Sequence, residues 1–410
     1  MCVLSPLTSR GEMMPDEPQA LNLSNAVRLN YSSSDKLLDD EKNFFLSTLE
    51  TKAIYSFTPD LLASVQLRAQ SVVNPTRQSS IEFPFAYLDI KTSAVDFRLG
   101  KQIIAWGRTD ALNPTDVVTP RNYTTLLPFD EDERSGVWGL RSNFYESNTV
   151  LASLFYGYRF EPSTLPFASQ GSQNYDFERA YSEQRQLGLR VSESNDDFDA
   201  SVSAYHGASL LGQAEYVGVL PGRGNVTTLR YPTITMVGAD YAANFGKFGV
   251  RLEGAYVHPE NIGQIAEIGM KPYRYLVAAA DHTFFSDLNI NFQLFGRWTS
   301  DYQPSSIFTN TNLRSIASLN ELIFVQTRQN TYGMTFRIAN LWMNQTVSAE
   351  LFVQHYLGDN STYLHPMATY AISDNTKLAV GAIWYLGPEG TLFGVMKKNN
   401  GAFSELRYSF

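Results

Sequence analysis

The feature that most constrains this chain is a two-residue alternation of apolar and polar side chains, which recurs from about residue 21 to the C-terminus. Between Leu288 and Trp298, for example, the even positions are mainly apolar, whereas Asn289, Asn291 and Gln293 occupy odd positions. Successive side chains of a β-strand point to opposite faces of a sheet, so each such segment has one apolar and one polar face. The alternation therefore predicts an all-β protein.

The predicted strands are long. The alternation marks about 18 of them, and they are 21–31, 43–57, 61–73, 81–91, 94–106, 136–145, 149–160, 179–192, 198–207, 231–245, 248–257, 272–285, 288–298, 322–339, 345–357, 362–372, 376–387 and 401–410. Strands of soluble proteins average about 5–6 residues, whereas a tilted strand needs about 9–11 residues to cross a bilayer. The lengths therefore favour a membrane barrel.

The connections between these strands alternate in length. Short ones, such as Thr58–Asp60, Gly246–Lys247 and Ser373–Asn375, consist of residues that favour tight turns. The connections between them are longer, and 107–135 and 208–230 are the clearest examples. Outer-membrane barrels combine short periplasmic turns with long external loops, so the pattern predicts both the fold and its orientation.

Only a closed sheet satisfies the backbone of such strands in a membrane. In hydrocarbon every N–H and C=O must pair within the protein, and a sheet achieves this by closing on itself. A soluble propeller would need a blade repeat of about 40–50 residues, which the sequence lacks. We predict a transmembrane antiparallel up-and-down β-barrel of about 18 strands, with short periplasmic turns and long external loops. It occupies residues 21–410, and residues 1–20 form a disordered tail.

Composition excludes several functions. The formal net charge is −9 and there is no basic tract, so we expect no nucleic-acid partner. A single cysteine, Cys2, excludes a disulfide framework and a cysteine-based zinc site. Hydrolase and zinc-protease motifs are absent from the sequence, so we expect no enzyme, no catalytic residue, no metal and no cofactor. The alternative is a lipid-modifying barrel enzyme that uses His355 and His365, which flank one predicted external loop.

Charged residues on the strands are predicted to face the lumen. A charge on the lipid face near the midplane costs about 2–4 kcal/mol, and their number predicts a wet, charged interior without a side-chain plug. Two interpretations remain open: the charges pair across neighbouring strands and stiffen the wall, or the basic ones form a ladder that guides an anionic solute. The lumen and selectivity candidates are Glu50, Lys52, Arg68, Arg98, Arg141, Arg190, Arg251, Glu253, Arg297, Arg337, Glu350, Glu405 and Arg407.

The connection 107–135 is the most distinctive loop. It is long, and it is stiffened by Pro114, Pro120 and Pro128, since proline fixes its own backbone. Loops of this length inside compact folds are usually functional. We treat it as the candidate constriction, and the alternative is an external loop that packs on its neighbours. Its charged candidates are Arg108, Asp110, Asp116, Arg121, Asp130, Glu131, Asp132, Glu133 and Arg134.

The chain as a whole resembles a Gram-negative outer-membrane porin-type barrel, and its last residue, Phe410, resembles the C-terminal aromatic signature that the barrel-assembly machinery recognises. The segment from Leu99 to Gly107, followed by Asn113–Asp116, is similar to a strand-and-loop signature of uncharacterised barrels encoded beside RND-type exporters. The Gly-Lys-Gln strand at 100–102 is similar to alginate-type export barrels. These resemblances imply a transport function and supply no catalytic residue.

The sequence thus predicts an outer-membrane channel that passes a small, in one interpretation anionic, solute. Its expected surroundings are outer-membrane lipid, lipopolysaccharide and the barrel-assembly machinery. The alternative is an outer-membrane component of an export system, whose partner would be an inner-membrane exporter and whose cargo would be lipid-like or polymeric. The N-terminal segment lacks the basic and apolar regions of a secretory signal, so we expect that a signal was removed or that the start is misassigned.

Overall fold

The structure is a computed structural model. It describes residues 20–34, 43–73, 79–123, 133–165, 176–181, 185–220, 224–260, 265–285 and 287–410. The predicted tail therefore lies outside the described residues, except for residue 20. The described strands are β1 (Leu21–Ser34), β2 (Asn43–Thr58), β3 (Leu61–Val73), β4 (Ser80–Ile90), β5 (Val95–Gln102), β6 (Val137–Tyr145), β7 (Val150–Arg159), β8 (Asp176–Tyr181), β9 (Gln186–Ser194), β10 (Phe198–Ala208), β11 (Gln213–Leu220), β12 (Gly224–Tyr231), β13 (Thr233–Phe245), β14 (Phe248–Pro259), β15 (Tyr273–Phe284), β16 (Leu288–Thr299), β17 (Asn330–Trp342), β18 (Val347–Tyr356), β19 (Ser361–Ser373), β20 (Thr376–Leu386) and β21 (Gly401–Ser409).

Two α-helices accompany the strands, α1 (Ile265–Ile268) and α2 (Thr311–Ile323), and two short 3₁₀ helices cover Ser305–Ile307 and Lys397–Asn399. Among the described residues, no helix is both long enough and apolar enough to span a bilayer.

Eighteen strands form one closed antiparallel sheet. β8, β11 and β12 are not part of this sheet, and each of its strands pairs with the strands that precede and follow it in the sheet's chain order. The last strand, β21, pairs with the first, β1, so that Val27 lies opposite Tyr408. The seam is completed by Asn25 and Phe410, whose backbone N–H groups each donate to the other's carbonyl at 3.0 Å. The predicted 18-strand barrel is confirmed, and the closed sheet has no bare edge.

The remaining strands build a small sheet among the connections at one end of the barrel. β11 and β12 pair in antiparallel fashion, and β8 pairs in parallel with β12. Helix α2 contacts this sheet through Asn320, whose side chain accepts from the Ala214 N–H at 2.7 Å and donates to the Ala214 carbonyl at 2.9 Å. The long connections gather at this end, which we call the long-loop end. The opposite, short-turn end carries the tight turns and both chain ends. One connection of the long-loop end is short, at residues 357–360.

Three predicted strands differ from the structure. The strand predicted at 94–106 ends at Gln102, because the apolar residues that follow turn into the lumen. The strand predicted at 179–192 enters the barrel only at Gln186. The start of the strand predicted at 322–339 is wrong, since residues 311–323 form α2. Asn310 caps this helix by accepting from the N–H groups of Asn312 and Leu313, and Ile316 and Ala317 supply its buried face.

Buried ion pairs link the strands across the seam. Arg28 on β1 is only 2% exposed. Its Nη2 lies 2.8 Å from Oε2 of Glu405 on β21, and its Nη1 lies 3.6 Å from Oε1 of Glu50 on β2. Glu50 also accepts from Arg68 Nε at 2.7 Å. Four charges on four adjacent strands therefore neutralise one another on the lumen face of the seam.

We predict that Arg28→Gln destabilises the barrel more than Arg407→Gln does. Removing Arg28 leaves Glu405 buried without its cation, which typically costs about 3–5 kcal/mol. Arg407 lies directly across from Arg28 and forms no ion pair with a described residue, so it is the matched control. Urea unfolding of the detergent-refolded protein measures both. Equal loss of stability in the two variants would show that the pairs across the seam are dispensable.

Candidate functional site

The loop that follows β5 enters the barrel instead of leaving it. The Gln102 side chain donates to the Gly139 carbonyl at 3.1 Å, at the point where the chain leaves the sheet. Ile104 and Trp106 are then buried in a cluster with residues on the inner faces of β7, β10, β13 and β14. Thr119 fastens the returning chain, because its hydroxyl accepts from the Ile104 N–H and donates to the Ile104 carbonyl, both at 2.7 Å. The loop is thus packed against the lumen wall.

Glu253 anchors the tip of this loop. It lies on the inner face of β14 and is 3% exposed. Its Oε2 accepts from the backbone N–H groups of Arg108 at 3.0 Å and Thr109 at 3.3 Å, and from the Thr109 hydroxyl at 2.9 Å. Its Oε1 accepts from the Thr115 N–H at 2.9 Å and from the Thr115 hydroxyl at 2.8 Å. Bonds to an ionised acceptor are about twice as strong as neutral ones, so one carboxylate holds both arms of the loop.

Two glycines allow the loop to approach the wall this closely. Gly107 has a φ of +94°, and a Cβ there would lie 2.5 Å from Oε1 of Glu253. On the wall, a Cβ at Gly238 would lie 2.5 Å from the Thr115 methyl group. A side chain at either position would push the loop away from the wall. The sequence pattern alone gave no reason to link these two residues.

A cluster of charges joins the loop to β9 and β13. Asp240 on β13 has a fully buried side chain, and it accepts from Arg108 Nε at 2.7 Å and from Arg190 Nη2 at 2.9 Å. Arg108 also lies 3.5 Å from Asp199. Two predicted residues, Arg108 and Arg190, are therefore brought together by an aspartate that the sequence analysis missed.

Asp110 links the loop to β14 and β16. Its carboxylate accepts a hydrogen bond from the Asn291 amide and lies 3.8 Å from Arg251. Arg251 also pairs with Asp281. Burial raises the pKa of the Asp110 carboxyl, and the nearby Asp281 carboxylate raises it further, while Arg251 opposes both effects. This carboxyl therefore releases its proton less readily than an exposed aspartate.

The other loop candidates bind one another instead of the wall. Asp116 accepts from Arg121 Nη2 at 3.1 Å and from Arg134 Nη2 at 2.7 Å. Glu133 lies 3.9 Å from Arg121. These residues close the base of the loop. The candidates Asp130, Glu131 and Asp132 lie outside the described residues.

Several predicted lumen residues have contacts within the barrel. Arg337 Nη2 lies 2.7 Å from Glu350. Arg297 donates to the Phe324 carbonyl at 2.5 Å and lies over the rings of Tyr273 and Tyr275. Lys52 lies 5.9 Å from the ring centre of Phe85. Together with the ion pairs of the seam, these contacts favour the structural interpretation for part of the predicted set.

Arg141 is different. Arg141 lies on β6, directly opposite Arg98 on β5. The Nε of Arg98 lies 2.6 Å from Oδ1 of Asp89, and its guanidinium lies 3.9 Å from the ring centre of Tyr87. Arg141 itself is half-buried and forms no ion pair with any described residue, and its Nε is enclosed without a hydrogen-bond partner. The guanidinium groups of Arg98 and Arg141 are thus neighbours on the lumen wall, and Asp89 is the one described carboxylate that forms an ion pair with either of them.

The interior is not uniformly wet, so that prediction is wrong for part of the lumen. The apolar cluster around Trp106 fills the space between the loop and the wall. A second cluster combines inward residues of β15, β16 and β18 to β21 with Phe393 of the connection 387–400. The alternation could not predict these inward apolar residues, because both faces of the strands are apolar near the long-loop end. The same ambiguity concealed Asp240, which follows Ile234 and Met236 on the inner face of β13.

The two histidines proposed as an acid–base pair do not meet. His355 lies opposite Thr362 on the outer face, and its Nδ1 is 2.9 Å from the Thr362 hydroxyl. His365 lies on the inner face, where its ring contacts Phe403. The sheet separates the two rings. Among the described residues there is also no cluster of potential metal ligands.

We predict that Glu253→Gln frees the loop without unfolding the barrel. The amide cannot accept all the hydrogen bonds that the carboxylate accepts. Because a hydrogen bond to a charged group contributes about 1.5–3 kcal/mol, amide exchange at Thr109 and Thr115 should accelerate by about 10- to 100-fold. Glu350→Gln is the control, since Glu350 contacts Arg337 and no described residue of the loop. Unchanged exchange in Glu253→Gln would refute the anchoring role.

Comparison with known proteins gives a fold. No protein-family model matches the sequence, and no curated protein matches it. The structure is similar to OccAB3 of Acinetobacter baumannii, at 11% identity and a TM-score of 0.59, over 95% of this chain and 99% of that chain. It is similar to OccAB2 of the same species at 12% identity and a TM-score of 0.59, over 95% and 98%. OccK11 (OpdR) of Pseudomonas aeruginosa matches at 11% identity and a TM-score of 0.55, over 96% and 98%. The chain therefore shares the barrel fold of these structures over at least 95% of its length.

Proposed function

We propose that this protein is a channel of the Gram-negative outer membrane that passes a small anionic solute. Solved structures that share its fold include Occ/OprD porins, which are outer-membrane channels for small solutes. The outward faces of the strands carry exposed apolar residues such as Leu276 and Leu294, which suit a lipid environment. Lipid, lipopolysaccharide and the barrel-assembly machinery are its proposed surroundings.

The preference for an anion rests on Arg141. A guanidinium in the lumen wall with no described carboxylate partner leaves a positive charge for a passing solute. Arg98 lies directly opposite on the next strand, so a carboxylate or phosphate there would contact two cations. Rings of arginine and lysine select anions in other pores. Arg407 at the short-turn end adds a second cation without a described ion pair.

The loop held by Glu253 is the proposed constriction. It narrows the lumen from the side of β9 to β16 and presents Arg108 and Asp110 within it. The loop charges are largely compensated by Asp240 and Arg251. The constriction would therefore limit the size of the solute, whereas the uncompensated Arg141 would select its charge.

The other hypotheses lack a favouring observation among the described residues. The candidate histidine pair of a lipid-modifying enzyme is divided by the sheet. The similarity to exporter-associated barrels rests on residues 99–116, and in the structure these residues form the end of β5 and the anchored loop. This arrangement supports a constricted channel.

We predict that Arg141→Gln reduces the preference for chloride over potassium in planar bilayers. A unit charge at 4 Å contributes about 1 kcal/mol even in water, so the permeability ratio should fall by about twofold to fivefold. Reversal potentials in a KCl gradient measure this ratio. The control is Arg337→Gln/Glu350→Gln, which removes an ion pair without altering net charge and should leave the ratio unchanged. Cation preference in the wild-type channel would overturn the proposal.

We also predict that anion preference rises as the pH falls from about 7 to about 4, the range in which carboxyl groups titrate. Burial raises the pKa of Asp110, so this carboxylate is protonated at a higher pH than exposed ones and the constriction loses a negative charge. Asp110→Asn should therefore remove only the Asp110 component, and an unaltered pH profile in this variant would contradict the assignment.

A further inference from the structure

One cation on the outer wall, Arg274, has no carboxylate partner among the described residues. Arg274 is exposed on β15 between Tyr273 and Tyr275, whose rings lie on the lumen side beneath Arg297. Side chains alternate along a strand, so Arg274 points away from the lumen. Its contact among the described residues is with the ring of Tyr256, at 5.9 Å, and it forms no ion pair with any of them.

Side chains that can bind phosphate extend from Arg274 across the outer face of β14, β13 and β10. His258 follows Tyr256 on the outer face of β14, with its Nδ1 3.5 Å from the Tyr256 hydroxyl. Further along the rim, Thr235 lies opposite both His258 and His206, and His206 Nδ1 is 3.0 Å from its hydroxyl. These outer residues form what we call the outer-rim patch: His206, Thr235, Tyr256, His258 and Arg274. The nearest acidic residues along the chain, Glu267 and Asp281, form no ion pair with Arg274.

The patch lies at headgroup level. Arg274 is the second residue of β15, beside Trp298 near the end of β16, at the long-loop end. Trp298 donates to the Tyr332 hydroxyl at 3.0 Å, which continues an aromatic row of the kind found at membrane interfaces. An outward arginine costs about 2–4 kcal/mol at the midplane and almost nothing at the interface. A guanidinium at this level can therefore reach lipid headgroups.

At another outward-facing cationic site, in contrast, the protein provides a carboxylate partner. Lys101 on β5 lies 3.0 Å from Glu161, and Arg159 lies 3.7 Å from the same carboxylate. The protein supplies its own counter-ion there. At Arg274 the described residues supply none, which leaves this cation available to a counter-ion from outside the protein.

We propose that the outer-rim patch binds a phosphate of lipid A, the lipid anchor of lipopolysaccharide. This inference rests on the outer-membrane location proposed above, in which the long-loop end faces the leaflet that contains lipopolysaccharide. A guanidinium binds phosphate through two parallel hydrogen bonds, and His258 adds a donor beside it. His206 lies two strands from His258, about 10 Å away at the usual strand spacing. A headgroup that carries phosphates and hydroxyls across a disaccharide can span that distance.

Native mass spectrometry of the purified full chain in detergent tests the site. The probes are doubly phosphorylated lipid A, the same lipid A without phosphates, and phosphatidylglycerol. We expect Arg274→Gln to weaken binding of phosphorylated lipid A by about tenfold, the usual effect of losing a charge-assisted hydrogen bond. Arg274→Lys, which keeps the charge without the bidentate geometry, should give an intermediate loss. Arg159→Gln, whose cation already has Glu161, should bind as the wild type does.

Three results would overturn the proposal: equal binding of lipid A by wild type and Arg274→Gln, equal binding of the dephosphorylated lipid, or equally tight binding of phosphatidylglycerol. The last would assign the patch to anionic lipids in general. Conductance of the same preparations is measured in parallel. A conducting protein with no lipid A preference refutes the patch alone, and a non-conducting protein that binds lipid A through Arg274 refutes the channel alone.

Discussion

The structure depends on closure of the backbone hydrogen-bond network. In a membrane an unpaired strand edge cannot be solvated, so the first and last strands must meet, and here they do so along the whole of β21. Closure fixes which side chains face lipid and which face the lumen. The ion pairs of Arg28 lie where the chain must join its own two ends. These buried ion pairs therefore join the parts of the barrel that are most distant in the sequence.

Once the barrel is closed, its interior must be filled or kept wet, and the protein does both. The carboxylate of Glu253 supplies buried acceptors for loop amides that have left the sheet and would otherwise lack partners. Without such an acceptor, a loop inside the lumen would leave polar backbone groups unsatisfied, which is costly. The anchor therefore explains how a polar segment can lie stably against the apolar cluster around Trp106.

The sequence predicted the barrel because its main signal, alternation over long segments, arises from the lipid boundary, which acts on every strand alike. The lumen has no such uniform boundary. Ile104 and Trp106 continue the alternation of β5, yet they leave the sheet to pack inside. Asp240 was missed because its inner-face neighbours are apolar. The apolar run at the end of α2 resembles a strand, since a short run does not distinguish the two periods.

Charge compensation separates the residues that stabilise the barrel from those available for function. Arg68 and Arg337 have carboxylate partners, so their fields beyond the wall are largely cancelled. Arg141 faces the lumen and Arg274 faces the membrane, and neither has a described carboxylate partner. In our two proposals, position on the sheet then decides the class of ligand: an anion that moves through water for Arg141, and the fixed phosphate of a lipid for Arg274. Sequence patterning gives the face on which a charge lies, whereas only the three-dimensional contacts show whether that charge is already neutralised.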